Sequence, residues 1–490
     1  MSKCFENNKG RWINIGINSI FEKGTEEEQR NYIPEMDVEV ADLQEIIPKS
    51  LIREKIPIPN VPEIEIIRHF VKLSQRNYGV DTGIYPLGSC TMKYNPKINE
   101  VIERLKGFNQ VHPLQEENQG SMELMYHISK MLGEITGMDG FSLQPAAGAH
   151  GELAGLLIIK RYYEEKGIKK RKIIVPDSAH GTNPASAKMA GFSIIELKSN
   201  KFGEVPLDHL EYVMAEGDVA GIMLTNPNTF GIFDRNIQKI TKIVHDNDGL
   251  CYYDGANLNP ILGICRPRDM GFDIVHLNLH KTFSTPHGGG GPGSGPIGVI
   301  DKLTPFLPGP CIISTQQGFI CQENNVKSIG RIKAFWGNIG IVVRAYAYIL
   351  ALGAEGLKRV GCISVLNANY LRILLQKKYF LPYNQTCQHE FVITDRNFPN
   401  GITAEDIAKR ILDYGIYAPT VYFPLVVQGA MMIEPTETES KASLDYFYEV
   451  MDKIYQEAET DPNLLKKAPH NTPIRRLDAV LAARKPVLHD

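Results

Sequence analysis

The middle of the chain alternates short apolar runs with segments of helical spacing. The runs are rich in Ile, Val and Leu, which is typical of strands buried on both faces of a sheet. Segment 152–166, by contrast, repeats its apolar residues at the spacing of a helix. Strands interleaved with helices predict an α/β fold with a largely parallel sheet. The strand candidates are 141–144, 172–175, 193–197, 219–225, 250–254, 274–279 and 296–300.

The pattern changes near residues 75 and 335, and it predicts three parts. Residues 1–75 form a predicted N-terminal arm, because prolines divide them into short pieces around one helical pattern. Residues 76–335 carry the alternating pattern and form a predicted large domain. Residues 336–490 mix helices with short strands and form a predicted smaller C-terminal α+β domain. The helical patterns lie at 63–75, 338–353, 355–378, 403–414 and 439–457, and the C-terminal strand candidates at 389–394 and 420–423.

The composition is that of a globular protein, with 43% hydrophobic and 22% charged residues in a chain of 490. The formal net charge of −3 gives no reason to expect a nucleic-acid partner. The eight cysteines form no CxxC pair, which favours reduced thiols and a cytoplasmic location. The N-terminus has no apolar signal segment, and Arg344 interrupts the most apolar stretch, 339–354. That stretch therefore predicts a buried helix and no membrane span.

The strongest chemical feature is Lys281, in the run Leu277-Asn-Leu-His-Lys-Thr-Phe283. A lysine directly after an apolar strand is expected to lie partly out of solvent. Burial lowers the pKa of an ammonium group because it disfavours the charged form, and a lowered pKa suits a lysine that forms a Schiff base. A lysine that merely emerges at the end of a strand explains this stretch equally well by itself.

Asp254 ends the strand candidate that precedes Lys281, at a spacing that allows one crossover back to the sheet. A buried carboxylate there could pair with a pyridinium nitrogen, the pairing through which pyridoxal 5′-phosphate (PLP) withdraws electrons from its substrate. An Asp in a turn or at a helix cap is the common alternative. Together, the Asp and the Lys at successive strand ends are more specific than either residue alone.

Ala147, Gly148 and His150 lie between a strand candidate and a helix. Small residues at a helix N-terminus leave backbone N–H groups free to bind a phosphate, although a tight turn explains them too. His150 could stack on a cofactor ring or cap the helix. Thr182 and Asn226 lie in two further polar turns, where either could hydrogen-bond a cofactor. Asn-Pro pairs are also routine in turns, so each of these turns alone is weak support.

The remaining motifs do not change this interpretation. Segment 85–96 is rich in turns and carries hydroxyls, an amine and the thiol of Cys90, which is more often a buried structural group. Residues 293–298 match GxGxxG, but they lead into a strand and do not open a helix, which excludes a dinucleotide site. No HExxH motif occurs, and no metal site is predicted.

Four motifs, in this order, resemble the P-protein family of the glycine cleavage system. They are Pro-Leu-Gly-Ser-Cys-Thr-Met-Lys-Tyr-Asn-Pro at 86–96, Gln-Pro-Ala-Ala-Gly-Ala-His-Gly-Glu at 144–152, Ser-Ala-His-Gly-Thr-Asn-Pro-Ala-Ser at 178–186 and His-Lys-Thr-Phe at 280–283. The resemblance runs from about residue 34 to the end. Some members carry two homologous halves in one chain, and this chain resembles the separate second half, which retains the lysine.

The resemblance implies a PLP-dependent enzyme of fold type I, with a large sheet domain, a smaller C-terminal domain and an active site near a subunit interface. It implies that Lys281 binds PLP covalently, that Asp254 accepts the pyridinium N–H and that His150 stacks on the ring. The backbone of Ala147 and Gly148 would bind the phosphate.

The implied reaction is decarboxylation of glycine, with transfer of the aminomethyl group to the lipoyl arm of H-protein and release of CO2. Thr182 and Asn226 would contact the cofactor or the substrate. The implied partners are subunit 1, in a heterotetramer with two copies of each subunit, and lipoylated H-protein.

Other functions remain open as alternatives. An aminotransferase or another amino-acid decarboxylase would share Lys281 and Asp254 but would need no lipoyl protein. A catalytically silent scaffold would need neither residue.

Overall fold

The computed structural model describes residues 17–23, 36–53, 58–113, 115, 117–288, 293–323 and 325–486. The chain divides into two compact units. One is Val80–Lys466, and the other combines Met1–Gly79 with Lys467–Asp490. The division into three domains at residues 75 and 335 stays a prediction.

A seven-stranded sheet is the centre of the unit Val80–Lys466. Its strands lie in the order β1-β7-β6-β5-β4-β2-β3. The five strands from β6 to β3 run parallel, and β7 is antiparallel to its neighbours β1 and β6. The predicted α/β fold with a mostly parallel sheet is therefore confirmed. The strands are β1 (Gly140–Ser142), β2 (Lys172–Pro176), β3 (Ser193–Leu197), β4 (Val219–Leu224), β5 (Leu250–Gly255), β6 (Ile274–Leu277) and β7 (Ile297–Val299).

Helices connect these strands and bury their apolar sides against the sheet. Every residue of β4, β5 and β6 is buried, as expected for strands covered on both faces. The helix Gln119–Thr136 ends at Gly137, whose φ of 77° forms a left-handed cap that few other residues adopt without cost. The helices of this region are Lys97–Glu103, Lys106–Asn109, Gln119–Thr136, Gly148–Glu165, Thr182–Met189, Leu207–Met214 and Ile237–Asp246, with 3-10 helices at Asn259–Ile261, Pro267–Met270 and Asp301–Phe306.

A second, smaller sheet lies in the C-terminal part of the same unit and has its own hydrophobic core. Its antiparallel strands are β10 (Phe391–Thr394), β12 (Ala430–Ile433) and β11 (Thr420–Val421), in that order. This confirms the predicted smaller α+β region. A hairpin of β8 (Cys311–Thr315) and β9 (Gly318–Gln322), which the sequence analysis missed, precedes it. The helices are Ala404–Leu412, Lys441–Thr460 and Pro462–Lys466, with a 3-10 helix at Pro399–Gly401.

The long helix Ile339–Leu375 joins the two sheet regions. Its backbone leaves the helical conformation at Gly353, with φ 61° and ψ −175°, at the end of the first of the two predicted helices, 338–353. By length and composition alone it could cross a membrane. Val342 and Leu371 are nevertheless 0% exposed, so the helix packs within the core and the predicted buried helix is confirmed.

The unit formed by the two ends of the chain contains short helices joined by irregular segments where it is described. The helix predicted over 63–75 is confirmed as Glu63–Ser74. The other helices of this unit are Leu43–Ile46 and Ala479–Arg484, with 3-10 helices at Ile20–Glu22 and Lys49–Leu51.

Candidate active site

Lys281 lies just beyond the carboxyl end of β6. The residue is half-buried, and its Nζ donates a hydrogen bond to the carbonyl oxygen of Ser89 at 2.7 Å. Ser89 belongs to the turn-rich segment 85–96, in which no site residue was predicted. The lysine therefore lies at the sheet edge where ligands of parallel α/β proteins bind.

Asp254 lies at the end of the neighbouring parallel strand, β5, and is 1% exposed. Its Oδ2 is 2.7 Å from Nδ1 of His180 and accepts from Asn183 Nδ2 at 3.0 Å. Its Oδ1 accepts from the backbone of Ala256 at 3.0 Å and is 3.3 Å from Nε2 of His276. Burial acts to raise the pKa of Asp254, but the two histidines and the hydrogen bonds outweigh it and lower the pKa below its ordinary value. The group is therefore an anion, suited to a cationic N–H.

His180 is the residue that the sequence analysis overlooked. Besides its contact with Asp254, its Nε2 is 3.2 Å from Oγ of Ser89. A continuous chain of contacts thus runs from Asp254 through His180 and Ser89 to Lys281. One available signal was position, because His180 follows β2, and β2 runs parallel to β4 in the same sheet.

Ala147 and Gly148 form the start of the helix Gly148–Glu165. Ala147 has an extended backbone, and among the described residues no side chain caps this end. A Cβ at Gly148 would lie 2.2 Å from Nδ2 of Asn278, so a larger residue there would require the Asn278 side chain to move. The first N–H groups of an 18-residue helix favour an anion, and this end suits a phosphate.

His150 lies in the first turn of the same helix. Its Nδ1 accepts a hydrogen bond from the backbone N–H of Ala146 at 3.2 Å. Burial lowers the pKa of His150, and the charge of Lys333 lowers it further. The structure therefore groups His150 with the helix N-terminus, whereas His180 contacts Asp254. Stacking of His150 on a cofactor ring stays a prediction.

Thr182 and Asn226 are engaged by other protein groups. The Oγ1 of Thr182 donates to Oε1 of Glu152 at 2.7 Å. Asn226 is 1% exposed, and its Oδ1 accepts from the backbone N–H of Asp234 at 2.8 Å. Each lies after a strand of the parallel sheet, as predicted, but their contacts with a cofactor or a substrate stay predictions.

Several buried polar atoms near Lys281 in the chain have no hydrogen-bond partner among the described residues. They are the hydroxyls of Thr282, Thr285 and Ser294, the Nδ1 of His280 and the Nε2 of His287. Buried polar groups are nearly always satisfied, because an unsatisfied one costs free energy. These atoms, the anionic Asp254, the uncapped helix and the Lys281 amine together fit PLP, which carries a phosphate, a pyridinium and an aldehyde.

Two family models match the chain. Glycine cleavage system P-protein matches residues 23–319, and Glycine dehydrogenase, C-terminal domain, matches residues 361–470. Curated relatives agree with both. A probable glycine dehydrogenase (decarboxylating) subunit 2 of Caldanaerobacter subterraneus subsp. tengcongensis is 56% identical over 474 residues, which are 96% of this chain and 98% of the relative. Its counterpart in Kosmotoga olearia is 55% identical, with the same coverage of both chains.

Solved structures share the fold. The glycine decarboxylase (P-protein) of the glycine cleavage system, in inhibitor-bound form, superposes with a TM-score of 0.73 at 19% identity, over 87% of this chain and 100% of that chain. Glutamate decarboxylase of Lactobacillus brevis gives 0.64 at 14% identity, over 83% and 95%. These identities carry information on the fold alone, and they confirm fold type I of the PLP-dependent enzymes.

Proposed function

The chain belongs to the glycine cleavage system P-protein family, and we propose that it is the PLP-binding subunit that decarboxylates glycine. It passes the aminomethyl group to the lipoyl arm of an H-protein and releases CO2. One observation carries this proposal: Lys281 and Asp254 lie at the ends of neighbouring parallel strands and are linked through Ser89 and His180.

Each end of the cofactor has a protein group that suits it. Lys281 would bind its aldehyde carbon, and the backbone N–H groups at Ala147 and Gly148 would bind its phosphate. Asp254, kept anionic by His180 and His276, would keep a proton on its ring nitrogen. When bound, PLP supplies an electron sink for the negative charge that glycine retains after losing CO2.

The protein groups around Lys281 control protons and water. The Ser89 carbonyl accepts from the Lys281 amine and so fixes its position. Thr282 and Phe283, which follow the lysine, are 1% and 0% exposed. Buried neighbours limit the access of water to the lysine, which would withhold competing protons from the glycine carbon and strengthen electrostatic contacts.

The partners follow from the family. Relatives that match this chain almost end to end are named subunit 2, which supports a partner subunit 1. We place the two in a heterotetramer with two copies of each, and we assign the acceptor role to a lipoylated H-protein. The seven cysteines among the described residues are unpaired, in keeping with a reducing cytoplasm.

The experiment is exchange of labelled bicarbonate into the carboxyl group of glycine, with subunit 1 and PLP supplied. We expect exchange that depends on PLP and rises strongly when lipoylated H-protein is added. An aminotransferase would instead pass the amino group to a keto acid, without exchange and without need of H-protein. That result would contradict the proposal.

A further inference from the structure

Segment 86–91 extends the small C-terminal sheet. Leu87 forms an antiparallel bridge with Ile433 of β12, and the N–H of Gly88 donates to the carbonyl of Met432 at 3.3 Å. A Cβ at Gly88 would lie 2.3 Å from the Met432 side chain, so the two backbones approach closely. The segment is thereby attached to a sheet more than 300 positions later in the sequence.

Immediately after this bridge the backbone enters an uncommon conformation. Ser89 has φ 61° and Thr91 has φ 47°, in the left-handed region that residues other than glycine seldom occupy. Such a conformation persists only when surrounding groups hold it.

Two buried glutamates stabilise this left-handed backbone by accepting hydrogen bonds from it. Oε2 of Glu390, just before β10, accepts from the N–H of Ser89 at 2.7 Å. Oε2 of Glu434, just after β12, accepts from the N–H of Thr91 at 3.0 Å, and its Oε1 accepts from the Thr91 hydroxyl at 2.5 Å. Glu390 and Glu434 are 0% and 1% exposed.

Ser89, whose N–H donates to Glu390, reaches both halves of the candidate active site. The carbonyl of Ser89 accepts from the Lys281 amine at 2.7 Å, and its hydroxyl is 3.2 Å from Nε2 of His180. A shift of Ser89 would therefore move the partner of the lysine and, through His180, a partner of Asp254.

Groups of the chain itself engage the carboxylates of both glutamates. His389 lies beside them, with Nε2 3.7 Å from Oε1 of Glu390 and 3.9 Å from Oε1 of Glu434. All four carboxylate oxygens, however, already accept hydrogen bonds, the fourth being Oε1 of Glu390 from Asn257 at 3.4 Å. Burial raises the pKa of both glutamates. A protonated carboxyl still accepts through its carbonyl oxygen, so the hold survives partial neutralisation.

We propose that Glu390 and Glu434 are positioning residues, which fix segment 88–91 so that Ser89 presents its carbonyl to Lys281 and its hydroxyl to His180. The role of Lys281 that this serves rests on the proposed function. The fixing of the segment itself does not, and it can be tested on the chain without cofactor.

The first experiment measures backbone amide hydrogen exchange of peptides covering 86–93 in the full chain without cofactor. We expect Glu390→Ala to accelerate exchange in these peptides about tenfold, because the loss of one hydrogen bond to a charged or buried group changes an equilibrium by about that factor. Glu390→Gln, which keeps an acceptor oxygen, should restore most of the protection. Glu457→Gln is the matched control, because it removes a partly buried carboxylate of the same region that binds Arg410 at 2.9 Å.

The second measurement is the dissociation constant of PLP. Glu390→Ala should weaken PLP binding several-fold, with recovery in Glu390→Gln and no change in Glu457→Gln. If Glu390→Ala leaves exchange over 86–93 unchanged, or if glutamine restores nothing, the positioning role is wrong. If the wild-type chain does not bind PLP while exchange responds as expected, the proposed function fails and the positioning of the segment stands.

Discussion

Two groups of buried carboxylates flank the Lys281 amine, and they have opposite pKa shifts. Asp254 lies at the end of a strand of the large sheet, and its pKa is lowered although burial opposes this. Glu390 and Glu434 flank the strands of the small sheet, and burial raises the pKa of both. All three side chains are at most 1% exposed, so burial alone does not set their charge.

The difference lies in the neighbours. Asp254 is contacted by two histidines, whereas Glu390 has Glu434 as a neighbour, whose negative charge raises its pKa further. The first arrangement maintains a negative charge that can retain a proton on a bound ring. The second provides hydrogen-bond acceptors for a loop, for which full charge is unnecessary.

The largest expected effect comes from removing the charge of Asp254. Asp254→Asn keeps the shape of the side chain but cannot keep a cofactor ring protonated. We expect it to retain PLP and lose roughly 100-fold or more of the bicarbonate exchange, in the range of losses seen when a charge-stabilising group is removed. Near-normal exchange would remove Asp254 from its role. Asp234→Asn is a control, since Asp234 is a buried carboxylate outside the chain of contacts to Lys281.

A smaller effect is the pH dependence of the free energy of unfolding, which should have opposite signs for the two groups of carboxylates. A lowered folded-state pKa gives stability that is present above the unfolded value, about 3.9 for Asp, and is lost as pH falls. A raised folded-state pKa has the opposite effect. As the pH rises above the unfolded value, about 4.3 for Glu, the unfolded chain releases the proton while the folded chain still holds it, so the stability falls. Each group changes the free energy of unfolding by at most about 1.4 kcal/mol per pH unit.

Urea unfolding of the chain without cofactor between pH 3 and pH 7 measures both slopes, because the window for Asp lies below about pH 3.9 and the window for Glu above about pH 4.3. Relative to wild type, Asp254→Asn should lose stability less steeply on the acid side of this range. Glu390→Gln should lose less stability as pH rises. If both variants changed the slope of stability against pH in the same direction relative to wild type, the opposite charge states of Asp254 and Glu390 would be contradicted.

The sequence predicted best those strands and helices that depend only on residues close together in the chain. The strands of the large sheet were predicted to within two residues, because buried strands are short apolar runs. The helix at Gly148 begins four residues before the predicted start at 152, because its first turn is small and polar and lacks the apolar spacing. Strand β12, Ala430–Ile433, was missed since its short run lacks the β-branched pattern.

The same distinction holds for the site. Lys281 and Asp254 were found because each lies near the carboxyl end of a predicted strand. Glu390 and Glu434 were not found, because their partners Ser89 and Thr91 lie 301 and 343 positions away. No local pattern encodes such a contact, which depends on how segment 86–91 adds to the small sheet.

The most direct test of the central claim locates the cofactor on the chain. The protein is loaded with PLP, treated with borohydride to fix the cofactor on the amine that holds it, digested and measured by mass spectrometry. We predict the added mass on the peptide containing Lys281, and its loss in Lys281→Ala together with the visible absorption of the bound cofactor. The buried Lys93, whose Nζ lies 2.7 Å from Glu437, is the natural comparison. Labelling of Lys93, or unchanged absorption in Lys281→Ala, would contradict the account.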